Sequence, residues 1–324
     1  MRKFFCQDYF ETLKDIVLQY VFDNYDYCYL DAMHVKNRTE GTKTILVGCS
    51  HAMYGINERK FSEGMINFSI ASQDLYYGYK HIRKAIEEGK QKIERCIINI
   101  GYYGLYQDVS LSKSWDYAQL YKVYYPLFED AHNFHGEGGQ SSSYEWQRIK
   151  YDKDVYSMEL VQKFCQEWAR GFFMEEGSYY GSVKSRKSNI MLPHMVWNEL
   201  DEKTKEQVAL RRMQDHNRLK KYVQSREENC MLVQKMADYL YQNDIVPVFV
   251  IFPFTNWYNR YIDTEYKKEI YSLLDRLPMP VEFWDLNDYE GIFDDSDFVD
   301  TDHVNDRGAE KISVLLNELL IENI

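Results

Sequence analysis

The sequence predicts an α/β protein in three layers, with a five-stranded parallel sheet held between helices. Three observations carry that expectation. Short apolar runs recur at Thr42–Gly48, Met65–Ala71, Glu94–Gly101, Asp244–Thr255 and Pro280–Asp288. Segments with helical periodicity separate most of them, and strand–helix alternation marks a parallel sheet joined by crossover helices. Apolar residues make up 45% of 324 residues, ample for one large core.

Taken in order, the chain begins with an amphipathic helix over Tyr9–Ala32, with Phe10, Leu13, Ile16, Val17, Tyr20 and Val21 on one side. It forms a helical extension over residues 1–40. "TKTILVG" is a strong strand and "MINFSIA" a weaker one. "QDLYYGYKHIRKAIEEG" is a helix stopped by Gly89, and "ERCIINIG" is the third strand. The alternation then breaks. Residues 105–240 are expected to form a mostly helical cap inserted after the third strand. Within it, His135–Ser143 reads as a flexible loop, and Asp201–Asp244 as helix, in one piece or two. "DIVPVFVIFPFT" resumes the sheet, Asn259–Leu277 is a helix, and "PVEFWDLND" is the last strand. The closing helix carries Ile312, Leu315, Leu316 and Leu319 on its apolar face. The expected architecture is flavodoxin-like, a single domain over residues 1–324.

Composition narrows the function. A net charge of -12 disfavours a nucleic-acid binder, because phosphate contacts need clustered Lys and Arg. The longest apolar run, Ile245–Phe252, is too short to span a membrane. Asp8, Glu11 and Asp15 interrupt any apolar leader, so a cytoplasmic protein is expected. Cys6, Cys28, Cys49, Cys96, Cys165 and Cys230 are scattered without a CxxC pair, which indicates neither a zinc site nor a disulfide framework. No Gly-rich phosphate cradle is present, and no cofactor or metal is expected.

Ligands of open parallel sheets sit beyond the carboxyl ends of the strands. The first strand ends in Gly48, Cys49, Ser50 and His51. Ser72 and Gln73 follow the second, and Tyr102 and Tyr103 the third. Near the C-terminus, Asp300 and His303 lie three apart just before a helix. At that spacing a carboxylate reaches the imidazole, fixes its tautomer and stabilises the imidazolium formed in proton transfer. With Ser50 they form a candidate nucleophilic array.

Each of these residues also has a plainer role. Ser50 alone reads as a helix N-cap, and Asn305 or Asp306 as the cap of the last helix. His51 reads as a neighbour that caps or packs. Cys49 is a rival nucleophile, but its side chain is expected to point away from that of Ser50, toward the packed side. Asp294, Asp295, Asp297, Asp300 and Asp302 read as a solvated acidic loop, lacking the spacing of a Ca²⁺ site. The aromatic run Trp115–Phe128 fits either a sugar-binding wall or cap core.

"GCSH" and "DTDHVNDRGAEK" together resemble the SGNH hydrolase superfamily, also called the GDSL esterases. The Gly-x-Ser-His form resembles members linked to surface-polysaccharide acyl transfer. The resemblance covers roughly residues 42–104 and 244–322. It implies Ser50 as nucleophile, His303 as general base and acid, and Asp300 as its orienting carboxylate. It also implies oxyanion donors from the Ser50 N–H, a Gly N–H and an Asn side chain. Here Ser72 stands at the Gly position and Tyr103 at the Asn position, so one side-chain donor is lost unless Tyr103, Tyr102 or another group replaces it. Ser72, Gln73, Tyr102, Tyr103 and His51 are the candidate oxyanion and substrate-binding residues.

The resemblance implies a Ser-dependent esterase or O-acyltransferase acting on a small molecule or glycan, with an acyl donor as second partner and acetyl as the acyl group. Two other readings remain. One is a catalytically degenerate glycan- or partner-binding protein, suggested by the missing Asn. The other is a lipid or thioester hydrolase with an apolar tunnel.

Overall fold

A computed structural model describes residues 41–112, 119–134 and 197–322. The expected N-terminal helix, the loop at 135–143 and half of the expected cap lie outside the described residues. Two compact units emerge, one comprising residues 35–108 and 176–324, the other 1–34 and 109–175.

The larger unit is built on a five-stranded sheet: β1 (Thr44–Val47), β2 (Met65–Asn67), β3 (Arg95–Asn99), β4 (Val246–Ile251) and β5 (Glu282–Asp285). All pairings are parallel and the order is β2-β1-β3-β4-β5, as in flavodoxin-like folds. The order reverses between β1 and β3, which opens a crevice at their carboxyl ends. Ladder bonding in β2 ends sooner than its sequence suggests. Asn67 Oδ1 accepts from Ser69 N at 2.9 Å and turns the chain, although Phe68 and Ile70 still donate to β1-side carbonyls.

Helices cover both faces. They are α1 (Ser50–Gly55), α2 (Leu75–Glu88), α3 (Glu202–Asn217), α4 (Val223–Gln242), α5 (Thr264–Asp275) and α6 (Asp306–Glu322). On one face, Ile45, Val47, Ile98 and Phe249 pack against Ile82 of α2, Met236 of α4 and Ile270 of α5. On the other, Leu46, Ile97 and Val250 pack against Ala52 of α1 and Ile312 of α6. Alternate residues of one strand therefore serve two cores, and each fully buried Ile or Leu contributes about 1.5–3 kcal/mol.

The helical segment before β4 differs from the expected cap. It forms two helices, and both belong to the sheet's own unit. Met213, Val233, Met236 and Leu240 join the sheet core because the crossover from β3 to β4 must return across that face.

Caps follow the expected chemistry. Asp74 accepts from Tyr77 N at the start of α2, and Gly89 ends it. Asn305 Oδ1 accepts from Arg307 N and Gly308 N at the start of α6. That helix buries Ala309, Ile312, Leu316 and Leu320, so its buried stripe is rotated slightly from the expected one and Leu315 and Leu319 are half-buried.

The acidic segment is not the solvated loop its composition suggests. Asp297 is fully buried, ion-paired with Lys311 at 2.6 Å and Arg307 at 3.1 Å. Asp302 is buried as well.

In the smaller unit, a 3-10 turn spans Val109–Leu111 and a π-helical turn, Leu120–Tyr124, runs into an α-helical turn, Tyr125–Phe128. Leu120, Val123 and Tyr124 are buried, so this part of the aromatic run is packed; residues 113–118 lie outside the described residues. Among the described residues no helix is long and apolar enough to cross a membrane.

Candidate active site

The end of β1 sets the geometry. At Gly48 a Cβ would lie 2.5 Å from Asn99 Cβ, so only glycine lets β1 and β3 approach this closely. Cys49 takes the extended N-cap position of α1, without a side-chain cap bond, and Ser50 is the first helical residue. The Ser50 hydroxyl is therefore not spent on a helix cap.

Ser50 Oγ lies 2.8 Å from His303 Nε2. His303 Nδ1 lies 3.0 Å from Asp300 Oδ2 and 3.2 Å from Oδ1. A carboxylate only accepts, so Nδ1 carries the proton and Nε2 accepts from Ser50. The turn carrying these residues is fixed from several sides. Asp300 Oδ1 accepts from Asp302 N at 2.9 Å and His303 N at 2.7 Å. Val299 N donates to His303 O, and Thr255, just beyond β4, donates through Oγ1 to Thr301 O at 2.8 Å. His303 is buried and Ser50 only partly so, which leaves the hydroxyl as the outer end of the array.

A second array lies beside the first. Cys49 Sγ is 3.2 Å from His51 Nδ1, and His51 Nε2 is 3.2 Å from Asp302 Oδ2. Arg212 of α3 grips Asp302 through Nε at 2.9 Å and Nη2 at 2.8 Å. Burial would raise the Asp302 carboxyl, but Arg212, followed by His303 and His51, holds it well below the usual carboxylate range. Burial would lower His51, yet Cys49 and Asp302 reverse this and raise it to about 10. Burial would also raise the Cys49 thiol, but His51 outweighs it and the thiol falls below its ordinary value. Asn99 Oδ1, 3.4 Å from the sulfur, is an acceptor for the protonated thiol and opposes the pull of His51 toward the thiolate.

As expected, Cys49 and Ser50 engage different partners. Cys49, however, faces polar groups instead of an inert core. His51 does more than pack, since it joins Cys49 to Asp302.

The remaining candidates divide. Ser72 adopts φ 61, the left-handed conformation that favours glycine, at the position where the resemblance places Gly. Gln73 is 3% exposed, and neither of its amide atoms has a hydrogen-bond partner. Tyr103 stacks on His216, with ring centroids 3.9 Å apart. Tyr102 is turned away; its hydroxyl donates to Asp285 Oδ2 at 2.6 Å, beside β5. A small crevice at the switch between β1 and β3 is lined by Gly48, Cys49, Gln73, Asn99 and Tyr103, over Val47 and Ile98.

His51, Asp302 and His303 bring ligand-type atoms within 4.8 Å of one another. They do not fit a cation: the Arg212 guanidinium already neutralises Asp302, and both nitrogens of each ring have other partners.

Arg212 is the member of the site that the sequence does not announce. It lies 90 residues from Asp302 on a charged helix, and no local pattern links the two. No family model matches the chain, and no curated protein matches it.

Proposed function

We propose that the protein is an SGNH-type serine esterase or O-acyltransferase that works through an acyl-enzyme, in the cytoplasm. The observation carrying this reading is the Ser50–His303–Asp300 array, with separations of 2.8 and 3.0 Å, at the carboxyl edge of a parallel sheet. Ser50 Oγ attacks an ester carbonyl while His303 Nε2 takes its proton. Asp300 holds the Nδ1–H and stabilises the imidazolium. His303 then protonates the leaving alcohol, and water or an acceptor hydroxyl repeats the sequence in reverse. The developing oxyanion needs donors in place. Gln73 Nε2 is a buried side-chain donor without a partner, and it takes the role left open by Tyr103. The carbohydrate-type substrate and the small acyl group, acetyl, follow from the resemblance of "GCSH" and "DTDHVNDRGAEK".

Covalent labelling tests the reading. Wild type, Ser50→Ala and His303→Ala are treated with a fluorophosphonate and a small activated ester, and intact mass is measured. An adduct on wild type, absent from Ser50→Ala and slowed in His303→Ala, is the expected result. A folded wild type that never labels overturns it. Tyr103 stacked on His216 at the expected Asn position favours a second reading, a glycan-binding platform on a disabled site. That reading predicts no label but measurable glycan binding.

A further inference from the structure

We propose that Cys49 is a peroxide-reactive thiolate and that the crevice between β1 and β3 is its binding site for hydrogen peroxide or an equally small hydroperoxide. The proposal does not need Ser50 to act on esters, although it draws on Gln73, the oxyanion donor proposed for that reaction.

The first support is the Cys49–His51–Asp302 array. Asp302 can only accept, so His51 Nε2 donates to it, and Nδ1 is left facing the sulfur at 3.2 Å. Arg212 pins Asp302 from the other side. A thiolate needs such an electropositive partner, and the Cys49 thiol is held below its ordinary value. Cys96 and Cys230 make the contrast. Burial pushes both of their thiols up.

The second support is independent of the sulfur. Gln73 lines the same crevice, is 3% exposed, and carries a donor and an acceptor without partners. Buried amides are rarely left so. A small molecule that both donates and accepts suits a crevice edged by such an amide, and hydrogen peroxide does both. The site's dimensions choose among electrophiles. Cys49 is only 7% exposed and the crevice is small, which favours a molecule near the size of water over a bulky electrophile.

The step balances. The Cys49 thiolate attacks one peroxide oxygen; the S–O bond forms and the O–O bond breaks. The departing hydroxide leaves as water, its proton relayed through solvent from the His51 imidazolium, which has lost its thiolate partner. Sulfur is oxidised by two electrons to the sulfenic acid, the peroxide is reduced, and His51 ends neutral.

The test uses the full chain with hydrogen peroxide and dimedone at a mildly acidic pH of about 6, where ordinary thiols are protonated. Peptide mapping follows each cysteine with time. Cys49 is expected to label at least about tenfold faster than the more accessible Cys230. Cumene hydroperoxide, too large for the crevice, is expected to favour Cys230. His51→Gln, checked for native circular dichroism, should lose the Cys49 advantage. Labelling of Cys49 no faster than Cys230 in wild type overturns the proposal, whatever the variant does. Equal reaction with both peroxides overturns the assignment of the crevice.

Discussion

His51 and His303 stack on each other, with ring centroids 4.8 Å apart and planes 25° from parallel. Each ring faces a different one of two adjacent side chains, His303 facing Ser50 and His51 facing Cys49. The two side chains leave the end of β1 in different directions, so one sheet edge supports two arrays. Their carboxylates are also neighbours in sequence, Asp300 and Asp302, held in one turn. A change in the charge of one ring is therefore felt by the other through a short, water-poor gap.

Asp300→Asn tests the outer array most sharply. The amide can no longer enforce the Nδ1–H tautomer or stabilise the imidazolium. Turnover of a small activated ester is expected to fall by about 10³- to 10⁴-fold with KM nearly unchanged. An unaltered rate would mean that His303 does not act as the base.

Gln73→Met separates activity from stability. It keeps the volume and removes a buried amide that has no partner. Stability, read by urea denaturation, should hold or rise by up to about 1 kcal/mol. Ester turnover should drop by about 10²- to 10³-fold if the amide steadies the oxyanion. A joint loss of stability and activity would instead assign Gln73 a packing role.

The sheet was legible because its strands are contiguous in sequence and their apolar pattern is local. Ser50, Asp300 and His303 were legible because they sit at strand ends or at a spacing a single turn can close. The second array was not. Asp302 stands among five aspartates within nine residues of chain and reads as solvated, while its partner Arg212 comes from a distant helix. Tyr102 and Tyr103 are adjacent and chemically alike, so only backbone geometry sends one to Asp285 and the other to His216. Helices α3 and α4 read as part of a cap because the strand–helix alternation breaks after the third strand. Their sparse buried residues, such as Met213 and Val233, show their role only once the sheet is present.

Ser72→Gly addresses local strain. A non-glycine residue at φ 61 is costly, and glycine relieves that cost at some expense in chain entropy. A net gain of about 0.5–1 kcal/mol in unfolding free energy is expected. The backbone N–H is retained, so labelling of Ser50 should persist. Loss of stability would show that the Ser72 side chain contributes more than its backbone costs.

Arg212→Met exposes the energetics of the buried pair. Removing the guanidinium leaves Asp302 charged, buried and short of its main partner. Breaking such a pair costs 3–5 kcal/mol when both ends are buried; the Arg212 side chain is 38% exposed, so about 2–3 kcal/mol is expected near neutral pH. The sign with pH follows from the direction of the shift. In wild type the Asp302 carboxyl lies below its unfolded value, so its contribution is full above about pH 3.9 and is lost as pH falls further. Arg212→Met removes the largest of the groups that hold the carboxyl down, so it moves up relative to wild type and acidification relieves part of the variant's loss. The stability gap between wild type and variant should therefore narrow from pH 7 toward pH 4. The double variant Arg212→Met/Asp302→Asn, with no carboxylate left short of its main partner, should recover part of the loss at neutral pH. A gap that stays constant with pH would mean that Arg212 stabilises α3 by packing and not through Asp302.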